Sequence, residues 1–229
     1  MARAGKEIEF ASDGDRARGY LALPASGSGP GVVVIQEWWG LVDHIRDVCD
    51  RLAREGFVAL APDLFRGETA AGDPDRAGRL MMGLEIPRAA RDLDGAVNAL
   101  LSETATRGAK VGAIGFCMGG QLALFAATRS ARIGAVVDFY GVHPKVKLEL
   151  SGLTAAVLGI FAERDSFVPP EAARKLEADL LAAGKRARCI VYPGVDHAFL
   201  NDTRPDVYHA DTAARAWAEM LAFLRAELA

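Results

Sequence analysis

The sequence has 229 residues, of which 51% are hydrophobic and 25% are charged, and its formal net charge is −3. This composition is ordinary for a globular protein, and it lacks the excess of basic residues that a nucleic-acid-binding protein needs. A chain of this length can form one large α/β domain, so we predict a single domain over residues 1–229.

Neither a signal-peptide pattern nor an apolar run long enough to cross a bilayer occurs in the sequence. The three cysteines, Cys49, Cys117 and Cys189, are far apart and have no CxxC spacing, which argues against a disulfide framework and a structural zinc site. We therefore expect a cytoplasmic protein that binds no metal, no nucleic acid and no membrane.

Strand and helix patterns alternate along the first half of the chain. Short alternating segments predict two edge strands, and continuous apolar runs predict two strands that are buried on both faces. A helix lies between the buried strands, with Gly56 as its C-terminal stop. A polar, glycine-rich segment then forms an excursion or lid. The ranges are 7–11 and 18–24 for the edge strands, 31–37 and 57–65 for the buried strands, 42–56 for the helix and 66–78 for the excursion.

The second half continues the alternation and ends in a long amphipathic helix. Helices are predicted over 86–103, 121–130, 169–184 and 210–228, and strands over 110–116, 133–141, 155–163 and 187–194. In the last helix, Trp217, Met220, Leu221 and Leu224 recur at helical spacing, so we expect them to pack on the core. Repeated strand–helix units predict an α/β fold whose mostly parallel sheet has helices on both faces, with ligands at the carboxyl ends of the strands.

Cys117 lies in a turn between a predicted strand and a predicted helix. The segment "GFCMGG" has glycines two residues before and two residues after the cysteine, as a tight strand-to-helix turn that carries a nucleophile requires. The positive end of the following helix favours a thiolate. A buried structural cysteine is the alternative, but the position of Cys117 favours a nucleophile.

Asp165 and His197 follow two later strands, so the chain order nucleophile, acid, histidine is that of an α/β-hydrolase triad. His197 would accept the thiol proton, and Asp165 would orient the imidazole. His209 is the rival base and Glu163 the rival orienting acid.

Glu37 ends the buried strand over 31–37 and is followed by two tryptophans. Near the Cys117 thiol this carboxylate could compete for the proton, and the alternative is a strand-end acid in a structural ion pair. The backbone N–H groups of Trp38 and of Met118, directly after the nucleophile, are the expected donors of an oxyanion hole.

Four segments together resemble the dienelactone hydrolase family. They are "QEWWGL", "GFCMGG", "ERDSFVP" and "DHAF", and their order and spacing match over essentially the whole chain. The resemblance implies an α/β-hydrolase fold, no metal or organic cofactor, and a monomer or loose homodimer. It implies that Cys117, Asp165 and His197 form the triad. It also implies that Glu37 hydrogen-bonds the resting thiol, exchanges partners when substrate arrives and takes the thiol proton, so that the thiolate forms only then.

The segment after the histidine departs from the family pattern. Family members that bind dienelactone use arginines for the substrate carboxylate, one of them in a segment like "HSFAR", whereas this chain has "HAFLND", with Ala198 at the hydroxyl position and Asn201 where arginine is expected. Arg204, Arg76 or Arg79 could serve instead. Trp38, Trp39 and Phe199 are expected to wall an apolar pocket.

The predicted function is cysteine-dependent hydrolysis of a small ester or lactone through a thioester. One alternative is a general short-chain carboxylesterase. The other belongs to a different class, a non-catalytic binding protein or redox sensor in which Cys117 is an oxidisable switch.

Overall fold

Eight strands form one sheet in the part of the chain that this computed structural model describes, residues 5–70 and 72–229. The strands are β1 (Lys6–Ser12), β2 (Asp15–Ala22), β3 (Gly29–Ile35), β4 (Val58–Pro62), β5 (Thr106–Phe116), β6 (Ile133–Phe139), β7 (Ala156–Ala162) and β8 (Ala187–Tyr192). Their order across the sheet is β1-β2-β4-β3-β5-β6-β7-β8. β2 is antiparallel to both of its neighbours, and every other pair is parallel. The predicted mostly parallel sheet is therefore confirmed.

Helices cover both faces of this sheet, also as predicted. They are α1 (Asp43–Arg54), α2 (Pro74–Gly83), α3 (Ile86–Ser102), α4 (Met118–Arg129), α5 (Pro170–Ala182) and α6 (Ala210–Glu227), with a 3-10 helix at Leu150–Gly152. Successive side chains of a strand point to opposite faces. Val32 and Val34 of β3 accordingly pack in one core with α1 and α6, whereas Val33 and Ile35 pack in a second core with α3 and α4.

The predicted end of α1 and the predicted buried face of α6 are both confirmed. Gly56 has a φ of +92°, and the N–H of Phe57 donates to the carbonyl of Leu52 at 3.0 Å. This hydrogen bond closes the helix, and it needs a residue that adopts a left-handed conformation without strain. In α6 the core-facing residues are Met220, Leu221 and Leu224, with Trp217 half-buried beside them.

Two predictions for the first half of the chain need correction. β2 is not an edge strand, because its residues Gly19–Ala22 pair with β4 on the side away from β1. The segment 66–78 is partly helical, since α2 begins at Pro74 and the Asp73 side chain accepts a hydrogen bond from the Arg76 N–H at 3.0 Å. An aspartate followed by proline is a common helix start. Ala71, in the same segment, lies outside the described residues.

The carboxyl ends of β3, β5, β7 and β8 lie at the same edge of the sheet, because these strands are parallel. The residues that follow them include the four side chains singled out from the sequence, Glu37, Cys117, Asp165 and His197. The fold therefore brings segments distant in sequence to one place.

Candidate active site

Cys117 joins β5 to α4 in a conformation that is rare for a residue other than glycine, with φ +54° and ψ −125°. Its N–H donates to the carbonyl of Phe139 at 3.0 Å, which holds the turn against β6. A Cβ atom on Gly115 would lie 1.9 Å from the carbonyl oxygen of Gly119, and one on Gly119 would lie 2.4 Å from that of Ile35. The turn is therefore possible only with glycine at both positions.

Asp165 is buried and is held by three hydrogen bonds. Its Oδ1 accepts from the N–H groups of Phe167 at 2.8 Å and Val168 at 2.9 Å, and its Oδ2 lies 2.6 Å from Nδ1 of His197. The carboxylate therefore fixes the orientation of the imidazole and keeps a proton on Nδ1, which leaves Nε2 for exchange of a second proton. Glu163, the rival orienting acid, instead accepts from the N–H of Gly194 at 2.8 Å.

His197 also interacts with Cys117, so the structure brings together the three residues of the predicted triad. Burial on its own lowers the pKa of His197, but hydrogen bonding to Asp165 and to Cys117 raises this pKa to about 10. The environment thus favours a protonated imidazole beside the sulfur. His209, the rival base, caps α6 by accepting from the N–H of Thr212 and is exposed.

Two aromatic rings that the sequence analysis did not single out flank the imidazole. The ring centroids of Tyr140 and Phe167 lie 4.9 Å and 5.1 Å from that of His197. Tyr140 is buried, and its hydroxyl has no hydrogen-bond partner among the described residues. Burial and the nearby Glu37 carboxylate raise the pKa of Tyr140, so the hydroxyl stays protonated. Tyr140 directly follows the end of β6, which is the signal that could have identified it, whereas Phe167 lies two residues after Asp165 and carries no such signal.

Glu37 is buried, and Asn201 holds it. Its Oε2 accepts a hydrogen bond from Nδ2 of Asn201 at 2.8 Å, whereas its Oε1 has no hydrogen-bond partner in residues 5–70 and 72–229. The resemblance implies a hydrogen bond between Glu37 and the Cys117 thiol, but here the carboxylate is directed to Asn201. Asn201 is thus a residue of the site, whereas the sequence indicated only that it stands where the family pattern has an arginine. Its contact with Glu37 spans 164 positions, so no local pattern could reveal it.

The two segments expected to form an oxyanion hole are in direct contact. A Cβ atom on Gly119 would lie 2.5 Å from the carbonyl oxygen of Gln36, so the start of α4 packs against the end of β3. The N–H of Met118, at the first position of α4, has no acceptor within its own helix. The role of the Trp38 and Met118 amides as donors remains a prediction.

A cavity of about 450 Å³ is lined in part by Asn201, the residue that donates to Glu37. It is lined by Trp39, Val42, Gly72, Pro74, Asn201, Thr203 and Arg204. Trp39 and Arg204, two of the residues expected to bind substrate, thus lie together at this cavity. The Arg204 guanidinium is paired with the Asp206 carboxylate at 2.7 Å.

The other expected substrate contacts lie elsewhere. Phe199 has an exposed fraction of 0% and packs against the rings of Tyr140 and Tyr192, so it cannot wall an open pocket. Arg79 lies at a different, smaller cavity of about 160 Å³ between α2 and the segment after β4. Arg76 is 3.4 Å from the Glu68 carboxylate at the surface. The sequence could not separate the two arginine positions, because each depends on how the segment 66–83 folds.

Neither a metal-binding cluster nor a membrane-spanning helix occurs within residues 5–70 and 72–229. There, no group of three or more His, Cys, Asp or Glu residues is arranged to hold a metal ion. No helix in these ranges is both long and apolar enough to cross a bilayer.

Comparison with known proteins agrees with this geometry. Residues 17–228 match the model of the dienelactone hydrolase family. "Protein usf" of Aquifex pyrophilus is 39% identical over 96% of this chain and 98% of its own length. A protein of Aquifex aeolicus named "Putative carboxymethylenebutenolidase" is 36% identical over 98% and 99% of the two chains. The crystal structure of a "Putative Dienelactone Hydrolase" from Klebsiella pneumoniae superposes with a TM-score of 0.85 at 31% identity, covering 97% of this chain and 99% of that one. The chain is a hydrolase with the α/β-hydrolase fold, and it belongs to the dienelactone hydrolase family.

Proposed function

We propose that the protein hydrolyses small esters or lactones with Cys117 as the nucleophile, through a thioester between its sulfur and the acyl group. The observation that carries the proposal is the position of His197, which is hydrogen-bonded to Asp165 at 2.6 Å and interacts with Cys117 on its other side. A nucleophile, a base and a group that orients the base are the parts that covalent acyl transfer needs. Because they follow strands of one continuous sheet, we propose a single catalytic domain.

The first half of the reaction forms the thioester. His197 holds the proton of the Cys117 thiol as an imidazolium, and the thiolate attacks the carbonyl carbon of the ester. The oxyanion that results accepts hydrogen bonds from the N–H groups of Trp38 and Met118. His197 then gives its proton to the oxygen of the leaving alcohol, and the carbon–oxygen bond breaks.

The second half returns the enzyme to its starting state. His197 takes a proton from a water molecule, whose oxygen attacks the thioester carbonyl. The carbon–sulfur bond then breaks and the acid is released, which restores the Cys117 thiolate beside the His197 imidazolium. Throughout both halves Asp165 remains ionised and stabilises the imidazolium. The raised pKa of His197 supports its role as the group that holds the proton.

The charges at the cavity favour an acyl group without a carboxylate. Recognition of a carboxylate requires an arginine whose donors are free to form paired hydrogen bonds. Arg204 at the cavity is already paired with Asp206, Arg76 is paired with Glu68, and Asn201 is uncharged. Asn201, which lines the cavity, holds the buried Glu37 carboxylate, and this carboxylate would repel a second negative charge. Among the candidate reactions, hydrolysis of an uncharged short ester is thus favoured over that of a lactone carboxylate.

A redox-sensing role finds less support. A disulfide switch needs a second thiol that reacts readily with the first. Burial, together with Glu177, raises the pKa of Cys189 to about 12, and burial raises that of Cys49 even further. Neither cysteine is therefore suited to resolve an oxidised Cys117.

The test is trapping of the acyl-enzyme. The wild-type protein is mixed with p-nitrophenyl acetate, quenched in acid and analysed by intact-mass and peptide mass spectrometry. We expect one acetyl group on the peptide that contains Cys117, none in Cys117→Ala, and normal labelling in the matched control Cys189→Ala. Release of p-nitrophenol without acylation of Cys117 in the wild-type protein, or with an undiminished rate in Cys117→Ala, would overturn the proposal.

A further inference from the structure

Phe167 is a large apolar side chain that is exposed beside the triad. Its exposed fraction is 63%, yet its ring packs edge-on against the imidazole of His197 with centroids 5.1 Å apart. The position of the ring is fixed from the backbone, because the N–H of Phe167 donates to Oδ1 of Asp165 at 2.8 Å and the next residue, Val168, is buried. The ring therefore presents a fixed apolar surface to solvent next to the group that moves the proton.

The chemistry of the proposed reaction determines which part of the substrate lies near this ring. When the thioester forms, His197 must reach the oxygen of the leaving alcohol to protonate it. The alcohol portion therefore lies on the His197 side of Cys117. The cavity lined by Trp39 and Asn201 is lined by neither His197 nor Phe167, so it is separate from the surface that the alcohol portion meets.

We propose that Phe167 is a specificity-determining residue that binds the alcohol portion of the substrate, and that the enzyme favours esters whose alcohol is aromatic or otherwise apolar. An aromatic group that covers the exposed face of Phe167 removes apolar surface of both groups from water, and it gains the contact energy of an aromatic pair. A short alkyl alcohol covers much less of the ring. This inference rests on the proposed function and specifies its substrate class.

The test compares phenyl acetate with ethyl acetate, which share the acyl group and differ only in the alcohol. The quantity measured is the ratio of kcat/KM for phenyl acetate to that for ethyl acetate, because kcat/KM reports the steps up to thioester formation. Comparing this ratio between variants cancels the difference in intrinsic reactivity of the two esters. We expect Phe167→Ala to lower the ratio by about five- to tenfold, mainly through a higher KM for phenyl acetate. Phe167→Leu should lower it by a smaller factor.

Leu181→Ala is the matched control, since Leu181 is also an exposed apolar side chain, at the other end of α5 from Phe167. Its ratio should equal that of the wild-type protein. If Phe167→Ala and Phe167→Leu reduce kcat/KM equally for both esters, the ring only shields His197 from water, and the inference is wrong while the proposed function stands. If the wild-type protein hydrolyses neither ester and acylates no cysteine, the proposed function itself fails.

Discussion

Two buried carboxylates, Asp165 and Glu37, lie at the ends of parallel strands in the same site, but they are held in different ways. Asp165 has hydrogen bonds on both oxygens, and two of its donors are backbone N–H groups. Glu37 has one hydrogen bond, from the side chain of Asn201, and its Oε1 has none from the described residues. Backbone donors are fixed by the fold, whereas a side-chain donor can be changed by one substitution. The triad acid is therefore held mainly by the backbone, whereas the position of Glu37 depends on one side chain.

Replacing Asp165 should have the largest effect, and this effect should be on the rate of hydrolysis. In Asp165→Asn, Oδ1 can still accept from Phe167 and Val168, so the loop keeps its conformation. The amide Nδ2 facing Nδ1 of His197 favours the wrong tautomer, and we expect kcat/KM for phenyl acetate to fall by about 10⁴-fold.

The matched control for this measurement is Glu163→Gln, which alters the rival orienting acid two residues away. The Glu163 side chain is exposed and binds only the N–H of Gly194 in the described structure, so kcat/KM should change by less than about twofold. Equal losses in Asp165→Asn and Glu163→Gln would contradict the assignment of Asp165.

The pH dependence of the stability tests the same hydrogen bond between Asp165 and His197, and its expected effect is somewhat smaller than the loss of rate. The folded-state pKa of His197 is about 10, above the 6.5 of an unperturbed histidine. The folded state therefore holds this proton more tightly than the unfolded state, and the stabilisation is fully present below about pH 6.5. We expect the free energy of unfolding in urea to fall as the pH rises from about 6.5 to about 10.

Asp165→Asn provides the contrast, because it removes the largest contribution that raises the pKa of His197. Its free energy of unfolding should fall less over the same pH range. Parallel curves for the variant and the wild-type protein would mean that another group controls this part of the pH profile.

The sequence predicts the backbone features of this protein better than the side-chain contacts between distant segments. Gly56, Gly115 and Gly119 were interpretable from their neighbours, because a helix end and a strand-to-helix turn impose local requirements on the backbone. The strand alternation gave the sheet and the edge where the site lies. Asn201 and Phe167 carry no such local pattern, since their roles depend on contacts with Glu37 and His197 that form only in the folded chain. Phe199 shows the opposite case. It lies two residues after His197 in the sequence, but its side chain is buried and does not line the cavity.

Removing the Asn201 donor from Glu37 should have the smallest effect of the three predictions, and this effect should be on the stability of the fold. Asn201→Leu leaves the Glu37 carboxylate buried without its donor, which costs about 1–3 kcal/mol of the free energy of unfolding. The change stays local, because the next residue, Asp202, remains paired with Arg51 of α1.

A double-mutant cycle separates this contact from a general disturbance of the loop. In a Glu37→Gln background no buried carboxylate loses its donor. Asn201→Leu should therefore lower the free energy of unfolding less than it does in the wild-type background. Thr203→Val removes the hydroxyl that donates to Oδ1 of Asn201 at 2.6 Å, on an exposed residue, and serves as the control with a cost below about 1 kcal/mol. Additive costs in the cycle would mean that Asn201 stabilises the loop without acting on Glu37. A coupling of about 1 kcal/mol would instead identify Asn201 as the residue that positions this carboxylate.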